Sequence, residues 1–189
     1  DTKSYSDEYT LKNSNGNETT VKSMSLEENM EDIRIGIGQV RKDFKDGAIT
    51  KQEKREKIEA LKERRETAKR SAVSFSTTKA VIDDHLKNGN FNNSPSNMKY
   101  ADFLKAIQAN GEPDANTGNK AIQGFDDKGN MMFSYVNSKG ELIKDEYGNN
   151  ISITSGQAKN LITTVYDKGR TVIEEIGINS DKNGSTAAW

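Results

Sequence analysis

The sequence predicts an α+β fold, a long helical hairpin or coiled-coil rod followed by a small antiparallel β-meander that a C-terminal helix packs. Three patterns predict it. Apolar residues recur at alternating steps of four and three through the first half. Short runs of period two, separated by Gly-containing turns, occupy the second half. A last helical stripe follows them.

Residues 1–24 mix Ser, Asn, Thr and charges with isolated Tyr5, Tyr9 and Leu11, the composition of a flexible arm that orders against a partner. A helix starts at Ser25, which with Glu28 has the spacing of a capping box. Its apolar seam is Leu26, Met30, Ile33, Ile37, Val40 and Phe44. A strand through Ile33, Ile35 and Ile37 would be shorter and would explain fewer residues. A second seam holds Ile58, Leu61, Ala68, Ala72, Phe75, Ile82 and Leu86. Both seams share one heptad phase, with Gly47, Lys51, Lys54, Arg65 and Lys79 at its weak positions, which favours an uninterrupted rod and self-association as a coiled coil. Local chemistry favours a hairpin: Asp46 and Gly47 suit a helix end, and Thr50 with Glu53 forms another capping box. In the hairpin, a second helix from Thr50 to about Leu86 would span on the order of 55 Å at 1.5 Å per residue. That outruns the first helix, so its remaining seam needs cover from the C-terminal helix or another subunit.

The helical region, 25–87, ends in the linker 88–97, NGNFNNSPSN. A small α+β domain is expected over 98–178. It begins with a helix carrying Met98, Phe103, Leu104 and Ile107 and ending near Gly111 and Pro113. IQGF, MMFSYV, ELI and ISIT are strand candidates, with Gly129, Gly140 and Gly148 in the turns between them. Met131, Phe133 and Tyr135 share one face of their strand. Thr154 and Gln157 have capping-box spacing, and a helix over 155–176 would cover the sheet with Ala158, Ile162, Val165, Tyr166, Val172, Ile173 and Ile176. Residues 179–189 form a flexible tail ending at Trp189.

Composition limits the core. Apolar and aromatic residues make up 32% of the 189 and charged residues 30%, with a mean hydropathy of -0.90; exposed helices and partner-dependent segments follow. Lys plus Arg number 28 against 29 Asp plus Glu, so no global field draws the chain to nucleic acid or an acidic membrane. Locally, Arg41 to Arg70 hold twelve basic residues against seven acidic ones, an excess of five. Absence of cysteine excludes disulfides and thiolate chemistry within the sequence. No apolar run approaches the roughly 20 residues of a membrane span, and the amino end lacks a signal-peptide core. The start at Asp1 points to a processed product or a fragment.

No residue pattern specifies catalysis. DANTGNK and DDKGN lack the alternating oxygen ligands of an EF-hand loop and read as turns. His85, beside Asp83 and Asp84, has no partner histidine or cysteine for zinc and no nucleophile for a triad. No phosphate-cradling Gly-rich loop or Walker motif occurs. No metal or cofactor is expected, and the protein reads as noncatalytic. Lys62, Arg64, Arg65, Lys69 and Arg70 form the strongest basic cluster and are the candidate nucleic-acid contacts, although Glu59, Glu63 and Glu66 interrupt them.

FKDGAIT, followed by KQEKREKIEAL, resembles short helix-turn-helix elements at the ends of bacterial multidomain proteins and inside bacteriophage structural proteins. The wider organisation, without cysteine, rich in Asn and Gly turns, with a helical spacer and a long polar start, resembles bacteriophage virion structural proteins of the adaptor or minor capsid type. That resemblance implies a particle subunit, cytoplasmic before assembly. The function expected is a noncatalytic assembly protein whose seam, from Leu26 to Leu86, meets protein subunits of its own or another kind; the alternative is a nucleic-acid-binding accessory protein using the basic helix.

Overall fold

Chain reversal at Gly47 sets the architecture. The computed structural model describes residues 8–12, 16–88, 95–145 and 148–155, and within it helix α1, Leu26–Lys45, ends in a Schellman turn. Ala48 donates its N–H to the Asp43 carbonyl at 2.8 Å and Gly47 donates to that of Phe44 at 3.0 Å. Gly47 takes a φ of 79°, the left-handed conformation that glycine adopts without a Cβ penalty. Five residues separate α1 from helix α2, Lys51–Asn88. Both capping boxes form: Ser25 Oγ accepts from the Glu28 amide at 3.1 Å, and Thr50 Oγ1 from the Glu53 amide at 3.0 Å. The chain therefore folds back, and the uninterrupted coiled-coil rod does not form.

The sheet differs from the one expected. Five strands, β1 (Glu8–Lys12), β2 (Glu18–Ser23), β3 (Lys120–Asp126), β4 (Met131–Val136) and β5 (Ser152–Thr154), lie in sequence order, every neighbour antiparallel. The helices are an excursion between two paired strands: β2 pairs with β3 in the register Val21 to Asp126 and Ser23 to Gly124. Residues 8–23, read from sequence as an arm, thus supply two strands. Their signal is weak because Tyr9, Leu11 and Val21 are the only aromatic or apolar residues on the inward face, which Thr19 and Ser23 share, while Glu, Thr and Lys alternate with them, the pattern of strands with one wet face. ELI forms no strand of its own; Leu142 makes only an isolated bridge to Val136.

The cover also differs. α2 and helix α3, Pro95–Gln108, pack on one sheet face, where Phe75, Ile82, Phe103, Leu104 and Ile107 meet Phe133, Tyr135, Ile151 and Ile153. Phe75 and Phe133 meet edge to face, 5.0 Å between centroids, an arrangement that aligns a ring edge with the opposing π-cloud. The small meander closed by a C-terminal helix is corrected accordingly: the sheet has five strands, its helical cover precedes β3, and the described chain ends on β5. The helix expected over 155–176 and the tail to Trp189 lie outside the described residues, as does most of the linker 88–97.

On its other face the sheet curls over a second, smaller core of Leu11, Val21 and Met132, with Tyr9 and Leu142 against it. Tyr9, on β1, reaches across to donate its hydroxyl to Ser134 Oγ on β4 at 3.0 Å. So tight a curl needs Gly124: a Cβ there would lie 2.6 Å from Val21 Cγ1 and 2.7 Å from the Lys22 carbonyl. Gly124→Ala is expected to destabilise the protein by about 1–3 kcal/mol, read as a lower urea midpoint. Acid should act through one helix cap and one turn. Hydrogen bonds from Thr50 hold the Glu53 carboxyl below its ordinary pKa, and amides of Thr117 and Asn116 do the same for Asp114. A depressed folded pKa contributes stability above the unfolded value that is lost as pH falls through the folded one. The melting temperature should therefore drop below about pH 4, with a shallower fall for Glu53→Gln.

Candidate functional site

The hairpin is the part of the molecule that stands away from the sheet, and its register is fixed at three levels. Near the turn, Lys54 Nζ lies 4.7 Å above the Phe44 ring. Further down, Gly36 brings its backbone against Leu61, whose Cδ1 is 3.4 Å from where a Cβ would sit. At the base, Arg64 reaches from α2 to α1, donating from Nη2 to Asn29 Oδ1 at 2.9 Å and to Asp32 Oδ2 at 3.2 Å. Between these levels Ile33, Ile37 and Val40 are buried.

The seam divides between two covers. Phe44, Ile58 and Leu61 are half-buried in the hairpin. Leu26, Met30 and Leu86 pack on the main core, which takes Ala68, Phe75 and Ile82 outright. Much of the apolar surface read as a docking face is thus covered within the chain, by α3 and the sheet.

The basic cluster is divided too. Arg64 turns into the base of the hairpin. Arg65 lies 3.6 Å and Lys69 3.7 Å from the same Glu66 carboxylate, and Arg70 donates to Thr67 Oγ1 at 3.2 Å. Lys62, by contrast, makes no hydrogen bond or ion pair among the described residues. The other four side chains are thus spread among different partners.

Where α2 crosses the β3–β4 turn, an open groove of about 590 Å³ lies between Glu63, Arg64, Thr67 and Arg70 on one side and Asp127 and Lys128 on the other. Charges of both signs line it. Gly129 closes the contact: at a φ of 95° it places its backbone so near α2 that a Cβ would be 2.3 Å from the Arg64 carbonyl oxygen. The neighbouring Asp126 accepts from the amides of Lys128 and Asn130 and from Asn130 Nδ2. Its carboxylate holds the turn together. Among the described residues no group of three or more His, Cys, Asp or Glu is placed to hold a metal ion.

Sequence reasoning missed Asn29 and Asp32. Asn29 is 0% exposed and sits three residues after Leu26 and four before Ile33, so a polar residue on the seam's own spacing was the available signal. Its Nδ2 and the Arg64 Nε are buried without a hydrogen-bond partner. Arg64→Met would leave both ends of that amide unpaired, an expected loss of about 1–3 kcal/mol in urea unfolding. Adding Asn29→Leu should recover most of it, since a buried polar pair replaced by apolar groups is close to neutral. No protein-family model, curated protein or solved structure matches the chain.

Proposed function

We propose that the protein is a noncatalytic structural or assembly protein that presents the α1–α2 hairpin to other protein subunits within a larger complex. One observation carries this reading: no residue from Glu31 to Thr67 belongs to either apolar core of the sheet. From Ile33 to Lys45 the hairpin extends about 18 Å at 1.5 Å per residue, held by packing between its own two helices. A pair of helices buries less of its apolar surface than a bundle does, and paired helices are a common element for docking on a third.

The outward side chains fit that role. Ile35, on α1 within the hairpin, is 57% exposed; Val73, the other large apolar residue left in water among those described, is 68% exposed on the part of α2 beyond the hairpin. The sheet adds β1, which pairs with β2 on one side only in the described chain. A homotypic or virion-like assembly is the setting that the overall organisation suggests. Internal pairing of Arg64, Arg65 and Lys69 speaks against the 62–70 cluster as an alternative, nucleic-acid-binding surface.

Light scattering should give a mass that is a multiple of 21.0 kDa and falls towards the monomer on dilution. Ile35→Glu, which changes an exposed position, should leave the melting temperature near that of the wild type while shifting the mass to the monomer. A monomer at every concentration, unaltered by the substitution, would remove self-assembly through the hairpin.

A further inference from the structure

The two flanks of the hairpin carry different charge. At about 100° per residue, a side chain one position C-terminal to a seam residue lies on one flank of its helix, and one position N-terminal lies on the other. Because α1 and α2 are antiparallel, the same rule selects the same side of the hairpin in both. One position after the seam residues Val40, Phe44 and Leu61 come Arg41, Lys45 and Lys62. Arg55 follows Lys54, which packs on Phe44, and Lys51, itself at a seam position, lies exposed one turn before Arg55. All five are exposed. Acids on this flank are Glu59, after Ile58, and towards the base Glu31, after Met30, and Glu66, after Arg65; Glu31 pairs with Arg34, and Glu66 lies beside Arg65 and Lys69.

The opposite flank, one position before the seam, carries Asp32, Asp43 and Glu53 together with Lys57 and Arg64. Contact of Arg64 with Gly129 shows that this is the side turned to the sheet. The basic flank therefore faces away from the domain.

Among the described residues no carboxylate forms an ion pair with these five cations. Asp43 accepts from Gln39, Asp46 pairs with Lys42, Glu53 caps Thr50 and Glu56 accepts from Gln52. Arg41, Lys45, Lys51, Arg55 and Lys62 make no hydrogen bond or ion pair among the described residues. Helix stability accounts for only some of them. Arg41 and Lys45 suit the negative end of α1, but Lys51 and Arg55 occupy the first turns of α2, where the helix dipole disfavours cations.

We propose that this flank binds the phosphate backbone of double-stranded nucleic acid, independently of sequence and in addition to the protein contacts above. From Lys51 to Lys62 the cations run for about 16 Å at 1.5 Å per residue, long enough to follow several phosphates of one strand. A protein interface needs a desolvated apolar centre, which the strip from Arg41 to Lys62 does not contain. A single-strand binder needs stacking aromatics, and Phe44 is turned into the seam under Lys54. Polar, cationic surfaces of this kind suit a duplex backbone.

Anisotropy of a labelled DNA duplex, titrated over a salt series, tests the proposal. Each phosphate neutralised contributes about -0.9 to the slope of log Kobs against log salt, so the wild type should approach about -4. The variant Arg41→Gln, Lys45→Gln, Lys51→Gln, Arg55→Gln should lose most of that slope, with a melting temperature equal to or above the wild type's. Neutralising Lys12, Lys22, Lys128 and Lys139 instead should leave the slope in place. The proposal is overturned if the wild type shows no salt-dependent binding, or if both quadruple variants lose slope alike. It is also overturned if poly-glutamate competes as well as duplex at equal charge, which would mark an acidic-protein surface, or if single-stranded DNA is preferred.

Discussion

α2 carries one apolar stripe along 38 residues, while α1, at 20 residues, covers only the first part of it. Apolar surface left in water costs roughly 25 cal/mol per Å², so the remainder of the stripe has to find a second partner. The fold supplies one by continuing the chain: α3 follows α2 and lies with it on the sheet, and Ala68, Phe75 and Ile82 pass from the hairpin seam into the main core without a change of phase. A single helix thus belongs to two packing units. Its N-terminal half makes the hairpin and its C-terminal half makes the domain.

This division explains what could be read in the sequence. Capping boxes at Ser25 and Thr50 and the glycine at 47 are local signals, each involving a few neighbouring residues, and local signals survive without tertiary information. β3 and β4 were legible for the same reason, from alternation and turn glycines. β1 and β2 were not. Their inward apolar residues number one or two each, and what makes them strands is pairing with each other and, for β2, with β3, about a hundred positions away in the chain. Heptad phase misled in the opposite direction: it continued across Gly47 although the helix did not. The apolar spacing marked the seam, but spacing alone could not distinguish cover by a second copy from cover by α3 and the sheet.

Charge shows a related limit. In sequence, the densest basic run is 62–70, yet adjacent helical residues point in directions about 100° apart, so a dense run scatters its charges around the axis. Arg64 ends in the hairpin base, while Arg65 and Lys69 share Glu66. Arg41, Lys45, Lys51 and Arg55 are thinner in sequence but come together when the chain reverses at Gly47. Their common signal is a pair of i, i+4 cations on each side of a helix-terminating glycine. Only the antiparallel geometry turns those two pairs into one surface.

Register is what keeps that surface intact. An antiparallel pair with lysines at several seam positions has little apolar preference for one alignment over another, and a shift of one residue would rotate each contact by about 100°. The turn at Gly47 fixes one end of the hairpin. At the other end, Arg64 can bond Asn29 and Asp32 only in a single alignment, because a buried amide left unpaired costs about 1–3 kcal/mol. Polar groups in an apolar seam are a known means of selecting register at some expense in stability, and the unpaired Asn29 Nδ2 and Arg64 Nε are where that expense is visible here. Gly129 then clamps the same stretch of α2 to the β3–β4 turn. The hairpin is thereby held both to itself and to the sheet at Arg64, and the orientation of its two flanks relative to the domain follows from that one residue.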